Sequence, residues 1–208
     1  MTTLILIRHG HTDWIEKKLA GWLPDVHLND LGKKQAEELP PRLAALAITA
    51  IYSSPLERTV ETAQPLAKAR GLRIQRVAGL GEVDFGDWQG QPLKVLSGKK
   101  EWKIVQAAPS AFQFPNGESF RETQSRAVGA IEKIIAGHAQ DTVAAFSHGD
   151  VIKLIVAYYA GIALDNFQRI AISPASISVM EHGPFGARLG RLNDTGPLHN
   201  HHHPKTSA

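Results

Sequence analysis

Apolar, β-branched residues come in short unbroken runs along this chain, and stretches of helical spacing separate them. Thr3–Ile7 (TLILI) is continuous rather than alternating, which predicts a strand covered on both faces, as in a parallel sheet. It stops abruptly at Arg8-His9-Gly10. Asn29-Asp30 opens a helix carrying Leu39, Leu43 and Leu46, and Pro40-Pro41 kinks or divides it. A second short strand covers 50–53. Ser54-Pro55-Leu56-Glu57 reads as a capping box with proline at the first helical position, opening a helix that runs to about Arg70, where Gly71 ends it. Residues 72–77 read as a third strand, and 79–90 (GLGEVDFGDWQG) as a shaped, glycine-rich loop. Residues 91–116 hold irregular helical pieces. Ser119-x-x-Glu122 is another capping box, before a helix with Val128, Ile131 and Ile135 on one face. Thr142–Phe146 is again a strand, ending in Ser147-His148-Gly149, and the next helix carries Ile152, Ile155, Val156 and Tyr159. Strands near 175–182 and 186–192 are joined around His182-Gly183-Pro184 as a hairpin.

Strands alternating with helices predict an α/β fold: a three-layer α/β/α sandwich with a mostly parallel mixed sheet and an antiparallel edge. At 208 residues one domain is expected, spanning 1–195, with a lid region at about 91–116. Residues 196–208 include HNHHH, lack an apolar period and read as a disordered His-rich tail. The chain has no cysteine, which excludes a disulfide scaffold, thiolate metal sites and a cysteine nucleophile. The longest apolar runs fall far short of the roughly 18–20 residues that span a bilayer, and MTTLILIRHG lacks a basic leader and a cleavage site. A cytoplasmic location is expected. The net charge of +3 is scattered, which suits a small anionic ligand and argues against nucleic acid or an anionic membrane as partner. A homodimer is left open.

In open α/β sheets, ligands sit beyond the carboxyl ends of the strands. Three such ends carry unusual groups here: Arg8-His9-Gly10-His11-Thr12, Ser53-Ser54-Pro55 with Arg58 one turn on, and Ser147-His148-Gly149-Asp150. If these strands are neighbours, two histidines and two arginines meet in one crevice with helix N-termini aimed at it, a site for a tetrahedral oxyanion. Glycines after both histidines let backbone N–H groups come close to the anion. Taken singly, His9 reads as a histidine satisfied at a strand end, Arg58 as a surface residue paired with Glu57 or Glu61, and His148 as a helix cap. Their coincidence at one sheet edge favours the site.

LIRHGHT, SSPLERTVETA, GLGEVDFGDWQG, FPNGES and SHGDVIK stand in the order and spacing of the histidine phosphatase superfamily, with its phosphoglycerate-mutase-like fold. The chain resembles that family from residue 4 to about 193, and within it the small phosphatase-type members, including a subgroup labelled phosphomutases. The resemblance implies His9 as the nucleophile that becomes phosphohistidine. It implies Arg8 and Arg58 as holders of the phosphoryl oxygens, with His148 a third cationic donor. Glu82 would protonate the leaving oxygen and then activate water, with Asp84 or Asp87 of the same loop as the alternative acid. Thr12, Gly21, Trp22 and Gly149 join Arg8, Arg58 and His148 as expected substrate-binding residues. Neither a metal nor a cofactor is implied.

The sequence departs from many relatives at Ile15, Leu19 and Ala20, where polar groups that touch substrate are usual; of those positions only Gly21 is kept. The lid is expected to set substrate identity. Lys94, Lys99, Lys100 and Lys103, with Trp102, Phe112 and Phe114, either face a second anionic group or form a solvated basic face over an aromatic cluster. Trp88, like Trp22, lines the pocket or packs the core. A phosphomutase must keep water out and is typically longer in this family, so the expectation is hydrolysis of a small phosphorylated metabolite. Phosphoglycerate mutase activity is the alternative, and a non-catalytic phosphate-ester binding protein the second. A metallohydrolase ranks below these, because the histidines keep company with arginines.

Overall fold

The TLILI run forms the strand β1, Thr2–Arg8, and it is buried on both sides. Leu4 and Leu6 point into one hydrophobic cluster and Ile5 and Ile7 into another, which is why the run does not alternate. A computed structural model describes residues 1–196; the His-rich tail at 197–208 lies outside the described residues. The other elements are α1 (Asp30–Glu37), α2 (Leu39–Arg42), β2 (Ile48–Ser53), α3 (Glu57–Arg70), β3 (Ile74–Arg76), α4 (Leu93–Leu96), α5 (Lys100–Ala107), α6 (Phe120–Ala136), β4 (Thr142–Ser147), α7 (Gly149–Tyr159), β5 (Ile177–Gly183) and β6 (Gly186–Asp194). The prolines at 40 and 41 divide the first helical stretch into α1 and α2 at Glu38.

The six strands lie in the order β3-β2-β4-β1-β5-β6. β3, β2, β4 and β1 run parallel, while β5 and β6 add the antiparallel edge. Ala63, Leu66 and Ala67 of α3 cover one face with Leu39 and Leu43. Ala127, Ile131 and Ile134 of α6 and the apolar face of α7 cover the other. The result is the three-layer sandwich. Among the described residues, no helix is long and apolar enough to cross a membrane.

Two local expectations are corrected. Leu56, not Ser54, is the N-cap of α3, and no side chain caps that helix. The Ser54 hydroxyl instead accepts from Leu56 N–H (3.3 Å) and pairs with the His148 ring, so the apparent capping box serves a different purpose. The capping box at Ser119 and Glu122 does form. The closing hairpin turns at Pro184-Phe185, slightly later than expected, and leaves Phe185 fully exposed.

Candidate active site

Strand register brings the three special ends together. Arg8 of β1 is level with Ser147 of β4, and Ser53 of β2 is level with Phe146. β4 therefore sits between the other two. The ladder continues past the strand ends through His9 N–H to Ser147 O (3.0 Å) and Ser54 N–H to Phe146 O (2.9 Å). Residues 9, 54 and 148 leave the sheet at one level, held by backbone bonds that do not depend on side-chain identity.

Beyond these ends lies a pocket of about 170 Å³. Arg8, His9, Thr12, Arg58, Glu82 and Gly149 line its floor and sides. The rings of His9 and His148 stand with centroids 5.3 Å apart. His148 is wholly buried behind His9, with Nε2 on the Ser54 hydroxyl (2.9 Å) and Nδ1 3.8 Å from a Glu82 carboxyl oxygen. Arg58 is fully enclosed and donates to Gly21 O (2.8 Å), while Arg8 donates to Ile172 O (2.6 Å). Arg8 Nε and Arg58 Nη1 are buried with no acceptor among the described residues. Buried guanidinium donors at a pocket wall suit an incoming oxyanion. Gly149 has its own reason: a Cβ there would come 3.2 Å from the Arg8 guanidinium carbon.

The His9 tautomer follows from one contact. Nδ1 lies 2.8 Å from Gly10 O, an acceptor only, so Nδ1 carries the proton. Burial, then the charges of Arg58 and Arg8, push its pKa well below the ordinary histidine value. The ring is neutral and its lone pair is on Nε2. The same causes, burial first and Arg58 next, push the His148 pKa well down. His148 is therefore neutral, not the third cation expected from the sequence, because burial and then the neighbouring guanidinium groups disfavour its charge.

Glu82 moves the other way. Burial and the Asp150 carboxylate raise it, Arg58 and Arg8 oppose, and the balance leaves a pKa of about 7. A carboxyl group so poised is half protonated at neutral pH and serves as acid or base. Asp84 and Asp87, the alternative acids, do not line the pocket. Asp84 accepts from Gly86 N–H and Asp87 from the Asn116 amide.

Three expected binding residues do not line the pocket, and His148, behind His9, is the first of them. Gly21 orients Arg58 through its carbonyl, and Trp22 donates from its indole to Glu82 O (2.6 Å); neither is on the pocket wall. Both stand one step behind the residue that is. Trp88 is buried against Phe112 and Phe114 and stacks on Trp102. Lys94, Lys99, Lys100 and Lys103 are exposed and away from the pocket, so the basic face over an aromatic cluster is the arrangement found. Ile15, Leu19 and Ala20 do line the pocket and make part of its wall apolar.

The sequence reading set Asp150 at the third strand end without a role, and missed its partner Lys153 (3.0 Å) and the pocket-lining Glu16 and Lys18. Lys153 was findable, one helical spacing after Asp150 in the helix that follows His148. Glu118 stood inside the FPNGES segment but was given no role, and Arg126 was missed for want of any local signal.

A model of the histidine phosphatase superfamily (branch 1) matches residues 4–195. Phosphoserine phosphatase 1 of Hydrogenobacter thermophilus is 31% identical over 182 residues, covering 86% of each chain. Among solved structures, Bacillus stearothermophilus YhfR superposes with a TM-score of 0.88 at 29% identity, covering 93% of this chain and 98% of that one. Phosphoserine phosphatase from Entamoeba histolytica, solved with 3-phosphoglyceric acid, gives 0.85 at 26% identity, covering 93% and 98%. A match of this extent, over a chain that sets His9, Arg8 and Arg58 around one pocket with His148 behind them, makes the protein a phosphomonoesterase of the histidine phosphatase superfamily, whose members work through phosphohistidine.

Proposed function

We propose that this chain hydrolyses small phosphomonoesters of the cytoplasm, with His9 as the phosphoryl acceptor and Glu82 as the proton donor. The observation that carries the reading is the His9 tautomer: a neutral ring, pinned at Nδ1, presents Nε2 to a pocket flanked by guanidinium donors without partners. Nε2 attacks phosphorus in line, and the ester P–O bond breaks as the P–N bond forms. The leaving oxygen takes the Glu82 proton. Arg8 and Arg58 hold the phosphoryl oxygens, and the helix N-terminus at Gly149 faces the same charge. Water then attacks phosphorus, its proton goes to the Glu82 carboxylate, and the P–N bond breaks to release inorganic phosphate. A pKa near 7 lets one carboxyl group perform both transfers.

The pocket volume suits an ester with a leaving group of a few carbons, and the relatives named for phosphoserine make that compound the first to try. The test is phosphate release from phosphoserine, phosphoglycerates, sugar phosphates, nucleotides and p-nitrophenyl phosphate in the presence of EDTA, with rapid quenching to trap acid-labile phosphate on the protein. Turnover and trapped phosphate are both expected to vanish in His9→Gln. Turnover that survives this substitution, or that is lost to the chelator, overturns the proposal. Conversion of 3-phosphoglycerate to 2-phosphoglycerate without phosphate release would assign a mutase instead.

A further inference from the structure

Glu82 belongs to a loop between two short 3-10 turns, Ala78–Leu80 and Gly86–Trp88. Four consecutive carbonyls, 79 to 82, are all taken by side chains from distant elements. Arg126 of α6 donates from Nη1 to Gly79 O (3.0 Å) and Gly81 O (2.9 Å), and from Nη2 to Glu82 O (2.6 Å). Ser147 takes Leu80 O (2.7 Å), and the Trp22 indole is the second donor to Glu82 O. A run of four carbonyls satisfied by side chains, rather than by a helix or a ladder, ties the loop to a few residues. Here one guanidinium supplies three of the bonds.

That guanidinium is itself fixed. Arg126 Nε and Nη2 make a two-pronged pair with Glu118 (2.6 and 2.7 Å). Glu118 also accepts from Asp84 N–H and from Thr123, both at 3.0 Å, so it holds the far end of the same loop. Burial works to raise the Glu118 pKa, and the hydrogen bond from Arg126 leads the set that outweighs it and holds the carboxyl ionised. Trp22 lies over the loop so closely that Gly81 has no room for a side chain. Arg126 does not line the pocket; its path to the chemistry runs through the backbone of Glu82.

We infer that Arg126, clamped by Glu118, is a positioning residue that sets the Glu82 carboxyl over the leaving oxygen. The inference rests on Glu82 being the proton donor, and it predicts a signature that general support of the fold does not. An alkyl ester needs a proton on its departing oxygen, whereas nitrophenolate departs without one. Displacing the acid should therefore penalise alkyl esters and spare aryl esters in kcat/KM, which reports only the steps up to phosphohistidine formation.

The experiment compares Arg126→Lys, Glu118→Gln and Glu82→Gln on phosphoserine (or the alkyl ester of the panel that is turned over fastest) and on p-nitrophenyl phosphate. Arg126→Lys keeps the charge and loses the fork; Glu118→Gln keeps the shape and loses the clamp. Each should lower kcat/KM for the alkyl ester by about 10- to 100-fold, the scale of a small misplacement of a catalytic group. The loss on the aryl ester should stay within about threefold, while Glu82→Gln shows the same selectivity at about 10²- to 10⁴-fold. Equal losses on the two esters, or none, overturn the inference. If Glu82→Gln itself does not separate the esters, the reading of Glu82 as acid falls first; if only Glu82→Gln separates them, the positioning role alone falls. Should Arg126→Lys fail to fold, Glu118→Gln and Trp22→Phe, which removes the other donor to Glu82 O, decide by the same two-ester ratio.

Discussion

The two halves of the pocket are built by different means. The phosphoryl side, at the ends of β1, β2 and β4, is positioned by ladder hydrogen bonds between adjacent parallel strands. The leaving-group side, the loop of Glu82, joins no strand ladder, and its carbonyls 79 to 82 are held by side chains: Arg126, Ser147 and Trp22. Backbone positioning tolerates change in any one side chain, while side-chain positioning concentrates in a few. Binding the phosphoryl group is thus a property of the sheet, and delivering the proton is a property of one α6 arginine and its carboxylate. Damage to the two sides should look different to different substrates.

The largest effect is expected on the sheet side. Arg58, in the first turn of α3, is enclosed and tied to Gly21 O, and its buried Nη1 has no acceptor among the described residues. Arg58→Ala should lower kcat/KM by about 10³- to 10⁵-fold, the range for removing an arginine that stabilises a phosphoryl transition state. Because every ester carries the same PO₃ oxygens, alkyl and aryl substrates should suffer alike. A strong selectivity between them in a steady-state comparison would erase the distinction between the two halves.

Next comes the loop side, through its pH profile. With the Glu82 pKa raised to about 7 and the protonated form acting as donor, kcat/KM for an alkyl ester should decline as pH rises through that value. His9 stays neutral over the same range, since burial and the two arginines hold its pKa far lower. Glu82→Gln should remove this basic limb along with most of the alkyl activity, about 10²- to 10⁴-fold. Persistence of the limb would assign it to another group.

The two halves also differed in how far they could be read from the sequence. Strand ends announce themselves: an apolar run breaks at Arg8-His9 or Ser147-His148, and topology does the rest, so the crevice is legible in the sequence. Glu82 was legible as a carboxylate in a glycine-rich loop, but only the resemblance preferred it to Asp84 and Asp87. What chose it physically is 36 residues downstream or more, at Glu118 and Arg126, and no periodicity connects those positions. The reading of Ser54 as a helix cap failed for a related reason. A hydroxyl before a helix has two outlets, the helix N–H groups and whatever the neighbouring strand delivers, and β4 delivers His148. Gly21 is expected from the resemblance and Trp22 from nearness to the catalytic loops, and neither ground distinguishes facing a ligand from supporting a residue that does.

The smallest effect tests how finely the loop side is tuned. Asp150 lines the pocket in the first turn of α7, and its charge is the second cause, after burial, of the raised Glu82 pKa. Lys153 pairs with Asp150 at 3.0 Å and offsets part of that charge. The other charges acting on Glu82 are Arg58 and Arg8, which pull its pKa down, and the His148 ring beside it is neutral. Asp150→Asn removes a negative neighbour, so the carboxyl should ionise more easily and the basic limb should move to lower pH, by up to about one unit. Lys153→Met exposes the Asp150 charge, and the limb should move the opposite way by less. Neither substitution touches the nucleophile or the phosphoryl donors, so activity at the new optimum should stay within about threefold of the parent enzyme, small beside the factor of about 10² that a positioned acid supplies. Shifts of the same sign in the two variants would mean that the pair acts on the substrate rather than on Glu82.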